Sequence, residues 1–182
     1  MSKVALSGNA SGSGTFTIAS PNSNTDRTIN LPDSNGTILT TATAGVPVNG
    51  PAFLAFQSAP TSIVNATVTK VLFGNETFDT NSNFASSRFT PTVAGYYQIN
   101  ANVSINQPGN ASNIVSLFKN GVEYMRGGRG FTTSVANLGL PVAAIIYMNG
   151  STDYVEVYTN NGTCDTEAGA SSHFSGALIR SA

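Results

Sequence analysis

The sequence predicts an all-β chain, an antiparallel sandwich with a short β-hairpin segment at its amino end. Three observations predict it. Residues 97–105 alternate strictly, with Tyr97, Ile99, Ala101, Val103 and Ile105 apolar and Gln98, Asn100, Asn102 and Ser104 polar between them. Such a period of two makes a strand with one buried face and one wet face. Turn residues recur between short apolar runs, as in Asp33-Ser34-Asn35-Gly36, Gly74-Asn75-Glu76, Lys119-Asn120-Gly121 and Asn149-Gly150, the spacing expected of a sandwich. No window carries convincing helical periodicity.

Composition narrows the class further. The 182 residues suffice for one ordinary domain and an appendage. Hydrophobic residues make up 40% of the chain, enough for a core, but charged residues only 9%, against about 25% in typical globular chains. Disorder normally comes with high charge, so the reading is a folded protein whose surface is built from Asn, Ser, Thr and Gly. A formal net charge of −1 gives no reason to expect nucleic acid or anionic membrane as partner. The single Cys164 cannot form an intrachain disulfide. The start MSKVALSGNA lacks an apolar run, so no secretory leader is expected. No stretch approaches the ~18 apolar residues of a membrane span, and no membrane insertion is expected.

Residues 1–45 form the first division. A small-residue tract (SGNASGSG) precedes TFTIASP and RTINLPDSNGTIL, where alternation and the Asn-Gly turn predict strands near 14–19, 27–31 and 36–40. So little apolar surface cannot hold itself together, so the segment is expected to intertwine with copies of itself or to dock on a larger assembly. Residues 46–51 read as a linker, with Pro47, Gly50 and Pro51. The head, 52–182, opens with AFLAFQS, where Phe53, Ala55 and Gln57 share a face. A hairpin follows at 114–118 and 122–125, then RGGRGF at 126–131 as a loop, an apolar run at 142–148, and a strand at 154–158. In that last strand Tyr154, Glu156 and Tyr158 oppose Val155 and Val157. A Gly- and acid-rich loop at 160–171 leads into the final strand, 173–180.

The ordered series KVLF, ETFDT, FASSRFTP, VAGYYQINANVSI, SLFKNGVEY and HFSGALI resembles the globular head of the complement-1q/TNF-like jelly rolls, over roughly residues 51–182. The resemblance implies an antiparallel jelly-roll sandwich and a homotrimer with cyclic symmetry. The pattern GTFTIASPNSNTDRTINLPDSNGTIL resembles a short module of phage tail-fibre proteins, which implies a virion location and contact with other virion proteins.

Reactive groups are sparse. His173 is the only histidine, so any triad or dyad would have to use it. It is read as an edge-strand residue near solvent or a subunit contact. Cys164 has no base nearby in sequence and reads as a semi-buried thiol. No catalytic residue is assigned, and the protein is read as a non-enzyme. No cofactor is expected. Asp165 and Glu167, with Asp153, could offer oxygens to Ca2+ only if copies on a symmetry axis multiplied them, since a calcium site wants six or more oxygens. Arg126 and Arg129 could grip a carboxylate or a sulfated sugar through bidentate hydrogen bonds.

The head's aromatic residues Phe73, Phe78, Phe84, Phe89, Tyr96, Tyr97, Tyr154, Tyr158 and Phe174 are candidates for core or trimer contact. Tyr96 stands out, because alternation from Tyr97 turns it away from the core. The resulting expectation is a trimeric phage virion protein made in a host cytoplasm. As a short tail fibre its head would meet a host surface glycan or protein through the loops carrying Arg126, Arg129, Phe131, Asp165 and Glu167. A capsid decoration trimer and a free lectin-like binding protein are the alternatives.

Overall fold

The computed structural model describes residues 50–107, 111–133, 136–160 and 162–182, with scattered positions between 11 and 28. The chain divides into two units, Met1–Ile38 and Leu39–Ala182. The strands expected at 27–31 and 36–40 lie almost entirely outside the described residues. Gly14, Thr15, Thr17 and Ala19, from the strand expected at 14–19, are exposed and outside any strand. At the head's entry, Pro51 is buried and its carbonyl accepts the Leu178 N–H at 3.0 Å. Packing of the head thus reaches into residues read as linker.

The described part of the head is entirely strand, turn and loop. In chain order it runs β1 (Ala52–Gln57), β2 (Ser62–Ile63), β3 (Thr69–Lys70), β4 (Asn75–Asp79), β5 (Phe84–Ala85), β6 (Arg88–Phe89), β7 (Ala94–Gln107), β8 (Ala111–Lys119), β9 (Val122–Thr132), β10 (Ala136–Asn149), β11 (Val155–Asn160), β12 (Cys164–Thr166) and β13 (Gly169–Ser181). Every pairing is antiparallel, in two sheets. The first orders β2-β12-β7-β13-β1-β4, with β10 also paired to β7; the second orders β5-β6-β11-β8-β9, with β3 paired to β11. Since β10 runs along all of β7 from Ala94 to Gln107, β12 and β13 share the opposite side of that strand. The all-β jelly-roll sandwich read from the sequence is the fold.

The alternation in β7 does what its period requires. Tyr97, Ile99, Val103 and Ile105 have no exposed surface, and Ala101 almost none. They meet the inward residues of the second sheet, including Val115, Leu117, Val155 and Val157. At one end the core is a phenylalanine cluster. Phe53 stacks on Phe84 (4.7 Å, 12°) and Phe89 (4.4 Å, 24°) and meets Phe174 edge-on at 4.8 Å. Gly176 makes room for this, because a Cβ there would lie 2.6 Å from Ile99 Cδ1 and 2.8 Å from Phe53 Cε1. The buried Gln57 Nε2 donates to the Ala59 carbonyl at 2.9 Å and to the Thr61 and Thr166 hydroxyls, while its Oε1 has no hydrogen-bond partner among the described residues.

Local chemistry fixes the turns. Asn120 and Gly121, both at positive φ (53° and 79°), make the two-residue β8–β9 hairpin that right-handed strand twist favours. Asp79 holds the loop before β5, accepting the Phe84 N–H at 2.6 Å and the Asn81 N–H at 3.3 Å.

Candidate functional surface

The outward face of the first sheet is where sequence and geometry converge. Register lines up three rows across β1, β13, β7 and β10: Ala52–Ala177–Gln98–Ile145, Leu54–Ser175–Asn100–Ala143 and Phe56–His173–Asn102–Pro141. Phe78 of β4 extends the second row beside Leu54, and Tyr96 pairs with Tyr147, their rings 5.5 Å apart. None of the side chains in the three rows is an acid, a lysine or an arginine, but Arg180 pairs with Tyr96 on its other side, and Lys119 Nζ donates to the Tyr147 carbonyl at 2.7 Å. Ile145 is 58% exposed, and Phe78, Tyr96, Tyr147 and Ile179 are between 42% and 48% exposed. The middle is a ladder of amides in which Gln98 Nε2 donates to Asn100 Oδ1 at 3.0 Å and Asn102 Nδ2 to the Ser171 carbonyl at 2.6 Å. Apolar groups flanking neutral hydrogen-bonding groups make three rows that can be desolvated without burying a charge.

The aromatic candidates sort into three groups. Phe73, Phe84, Phe89, Tyr97 and Phe174 are core residues; the buried Tyr97 hydroxyl donates to the Val93 carbonyl at 2.7 Å, and burial raises its pKa to about 12. Phe78 and Tyr96 lie on the outward face of the first sheet. Tyr154 and Tyr158 are half-buried on the outer side of the second sheet. Ile145, Tyr147 and Ile179 were not singled out by sequence reasoning. The signal was available: within the apolar run 142–148, every second residue belongs to the face opposite the core.

Two loop expectations and one strand expectation need correction. Residues 126–131 lie within β9, not in a loop, and Gly127 and Gly130 serve packing, whereas a Cβ on Gly128 would meet open space. A Cβ on Gly127 would lie 2.5 Å from the Pro141 carbonyl oxygen and 2.9 Å from that of Val115. The 160–171 segment contains β12 and the start of β13, held because Asp165 pairs in register with both Asn106 and Ser62. His173 is not on an edge strand, since β13 lies between β7 and β1; its ring meets Phe56 edge-on at 6.5 Å.

The carboxylates considered for calcium do not converge. Asp153 accepts Lys119 Nζ at 2.8 Å and Asn120 Nδ2 at 2.7 Å, beside Asn149, which pairs with the first residue of β7. Asp165 pairs with Asn106 at the far end of β7, twelve residues on, or about 40 Å at ~3.3 Å per residue. Asp165 accepts the Ser62 hydroxyl at 2.7 Å, and Glu167 that of Ser104 at 2.6 Å. Among the described residues no three His, Cys, Asp or Glu side chains gather as metal ligands. Two open clefts of about 480 Å³ each adjoin this end of the head and share Asn106 and Asp165. Cys164 lines one of them, but burial lifts its thiol to about 11, leaving it protonated and unreactive at neutral pH.

One ionic site on the second sheet was illegible in the sequence. Glu156, 2% exposed, accepts Lys70 Nζ at 2.6 Å, Arg88 Nε at 2.8 Å and the Tyr158 hydroxyl at 3.0 Å. The Arg88 guanidinium lies 3.9 Å from the centre of the Tyr154 ring, and Phe118 packs on Tyr158 at 4.4 Å. Burial pushes the Glu156 pKa up, but the hydrogen bonds from Lys70, Arg88 and Tyr158 outweigh it and hold it below the ordinary carboxylate value. Asp153 is held low as well, chiefly by Lys119. Both folded pKa values are depressed, so their stabilisation is complete above the unfolded values of 4.5 and 3.8. It is lost as pH falls through the lower folded values. The melting temperature is therefore expected to drop steeply below pH 4.5, and Glu156→Gln to flatten that drop while lowering stability at pH 7. A Glu156→Gln profile parallel to wild type from pH 7 to pH 3 would contradict this.

No family model and no curated protein matches the sequence. Solved structures do match. The globular domain of zebrafish complement 1qA protein superposes with a TM-score of 0.57, covering 74% of this chain and 100% of that one at 18% identity. Murine APRIL at pH 5.0 gives 0.57, with 72% and 100% coverage and 12% identity. The Eiger TNF of S. frugiperda gives 0.55, with 77% and 96% coverage and 9% identity. The class is a C1q/TNF-like jelly roll. Identities this low carry the fold and leave function to the surfaces.

Proposed function

We propose that the protein is a non-enzymatic homotrimer whose heads meet through the outward face of the first sheet, and that it serves as a short tail fibre on a phage particle. The observation that carries the trimer is the exposed apolar side chains of that face, Ile145, Tyr147, Tyr96, Phe78 and Ile179, around rows that hold no charge. A monomer gains nothing from presenting these side chains to water, whereas a threefold assembly removes them from it. The C1q/TNF-like fold supports the same reading. The phage setting rests on the amino-terminal resemblance and on a chain low in charge, at 9% of its residues. In this arrangement the amino-terminal segment joins other virion proteins, and the second sheet faces outward towards a host surface.

The test is location and copy number on a purified particle, by immunogold labelling and quantitative mass spectrometry. A tail fibre gives label at the tail and at most a few dozen copies. Label over the shell with a hundred copies or more would replace this reading with a capsid decoration protein.

A further inference from the structure

We propose that the outward face of the second sheet binds an anionic polysaccharide, one whose sugar rings carry carboxylate or phosphate groups. Its placement of charge is the first argument. The chain has eight lysines and arginines in all, and four of them share this face. Register puts Lys70 beside Tyr158, Tyr158 beside Ser116, Ser116 beside Arg126, and Ile114 beside Arg129; Arg88 reaches the same side through Glu156. Against these four cations stand two carboxylates, Glu156 and Glu123, leaving a local charge of +2 in a chain whose formal net charge is −1. The outward face of the first sheet carries Arg180 beside Tyr96 and no charge across its three rows, so the asymmetry is between faces.

Spare donor capacity is the second argument. Arg129 is exposed and makes no ion pair or hydrogen bond among the described residues. Arg126 uses Nε (2.9 Å) and Nη2 (2.6 Å) on Glu123 and keeps 60% of its side chain exposed. Arg88 is anchored through Nε to Glu156 and is 45% exposed, so its terminal nitrogens face outward from a fixed plane over Tyr154. Guanidinium groups held this way are matched to planar or tetrahedral oxyanions. The third argument is the company they keep. Tyr154, Tyr158 and Phe118 lie between the cations, half-buried, and offer rigid aromatic surface for the apolar faces of sugar rings. A neutral glycan would leave the cations unused, and an isolated small anion would leave the aromatics unused.

The inference deepens the attachment role proposed above and takes only its biological setting from it. The full-length protein would be titrated by isothermal calorimetry at 50 mM salt with polygalacturonate and with a phosphomannan, with neutral dextran as control. Binding to at least one anionic polymer, absent with dextran and weakened at least tenfold in 300 mM salt, is expected. Arg129→Glu is expected to weaken it at least tenfold with unchanged circular dichroism and solution mass, and Arg126→Ala less, because Arg126 is already paired. Preference between the two polymers distinguishes carboxylate from phosphate. Equal binding to dextran, no binding to either anionic polymer, or unchanged affinity in Arg129→Glu would overturn the proposal. A particle-bound trimer that ignores both polymers would sink this inference and leave the attachment role standing. Anion binding by a protein found on no particle would do the reverse.

Discussion

Phe53→Ala is expected to destabilise the head by about 3–5 kcal/mol, the range for deleting a buried aromatic ring. The magnitude follows from its place in the core. The ring is 1% exposed and has three aromatic partners within 5 Å, Phe84, Phe89 and Phe174. Those partners come from β5, β6 and β13, so one ring ties the first sheet to the second. Collapse into the cavity is blocked, because Gly176 supplies no side chain to fill it and the backbone there is paired on both sides. For a domain whose total stability lies between 5 and 15 kcal/mol, such a loss leaves it marginal at 37 °C. Denaturant unfolding checks this, since the midpoint should fall while the slope is kept. A change below about 1 kcal/mol would mean that the cluster is not the keystone described.

Ile145→Lys is expected to convert the proposed trimer to monomer while the head stays folded. Ile145 is 58% exposed in the single chain, so the substitution costs little in isolated fold stability. In the proposed assembly each of three copies would bring an ammonium group into a desolvated seam whose nearest register charge, Arg180 beside Tyr96, is also a cation. An unpaired charge there costs several kcal/mol per copy, because no carboxylate lies across the register rows to compensate it. Leu72→Lys, at a comparably exposed residue (53%) outside those rows, is the control and should leave the mass unchanged. If both variants keep the wild-type mass, the seam lies elsewhere.

The parts of this fold that could be read from sequence obey a single local rule. β7 announced both its faces because polar and apolar residues alternate from Tyr97 to Ile105, and Tyr96 could be turned outward on that ground alone. The Asn120-Gly121 hairpin was legible because those residues take positive φ readily. By contrast, the β5–β6 hairpin turns through Ser86 and Ser87, both at positive φ (51° and 58°), a conformation serine does not advertise. The stretch 126–131 read as a loop because the cause of Gly127 and Gly130, the approach of β10 behind them, is a contact distant in sequence.

The assembly surface was half visible for the same reason. Tyr96 and Phe78 were candidates, but Ile145 and Tyr147 sat inside a continuous apolar run, and only pairing with β7 shows which residues face away from the core. Glu156 looked like one polar position on an alternating strand. Nothing near it in sequence indicated that Lys70 and Arg88, 86 and 68 residues away, would bury it and gather cations on the second sheet.

The most direct test is the mass of the full-length protein in solution at low micromolar concentration, by sedimentation equilibrium. Three copies of the 18.7 kDa chain, about 56 kDa, is the expected result, falling to a single chain with Ile145→Lys. A stable, fully folded species of 18.7 kDa for the wild type at that concentration would contradict the account.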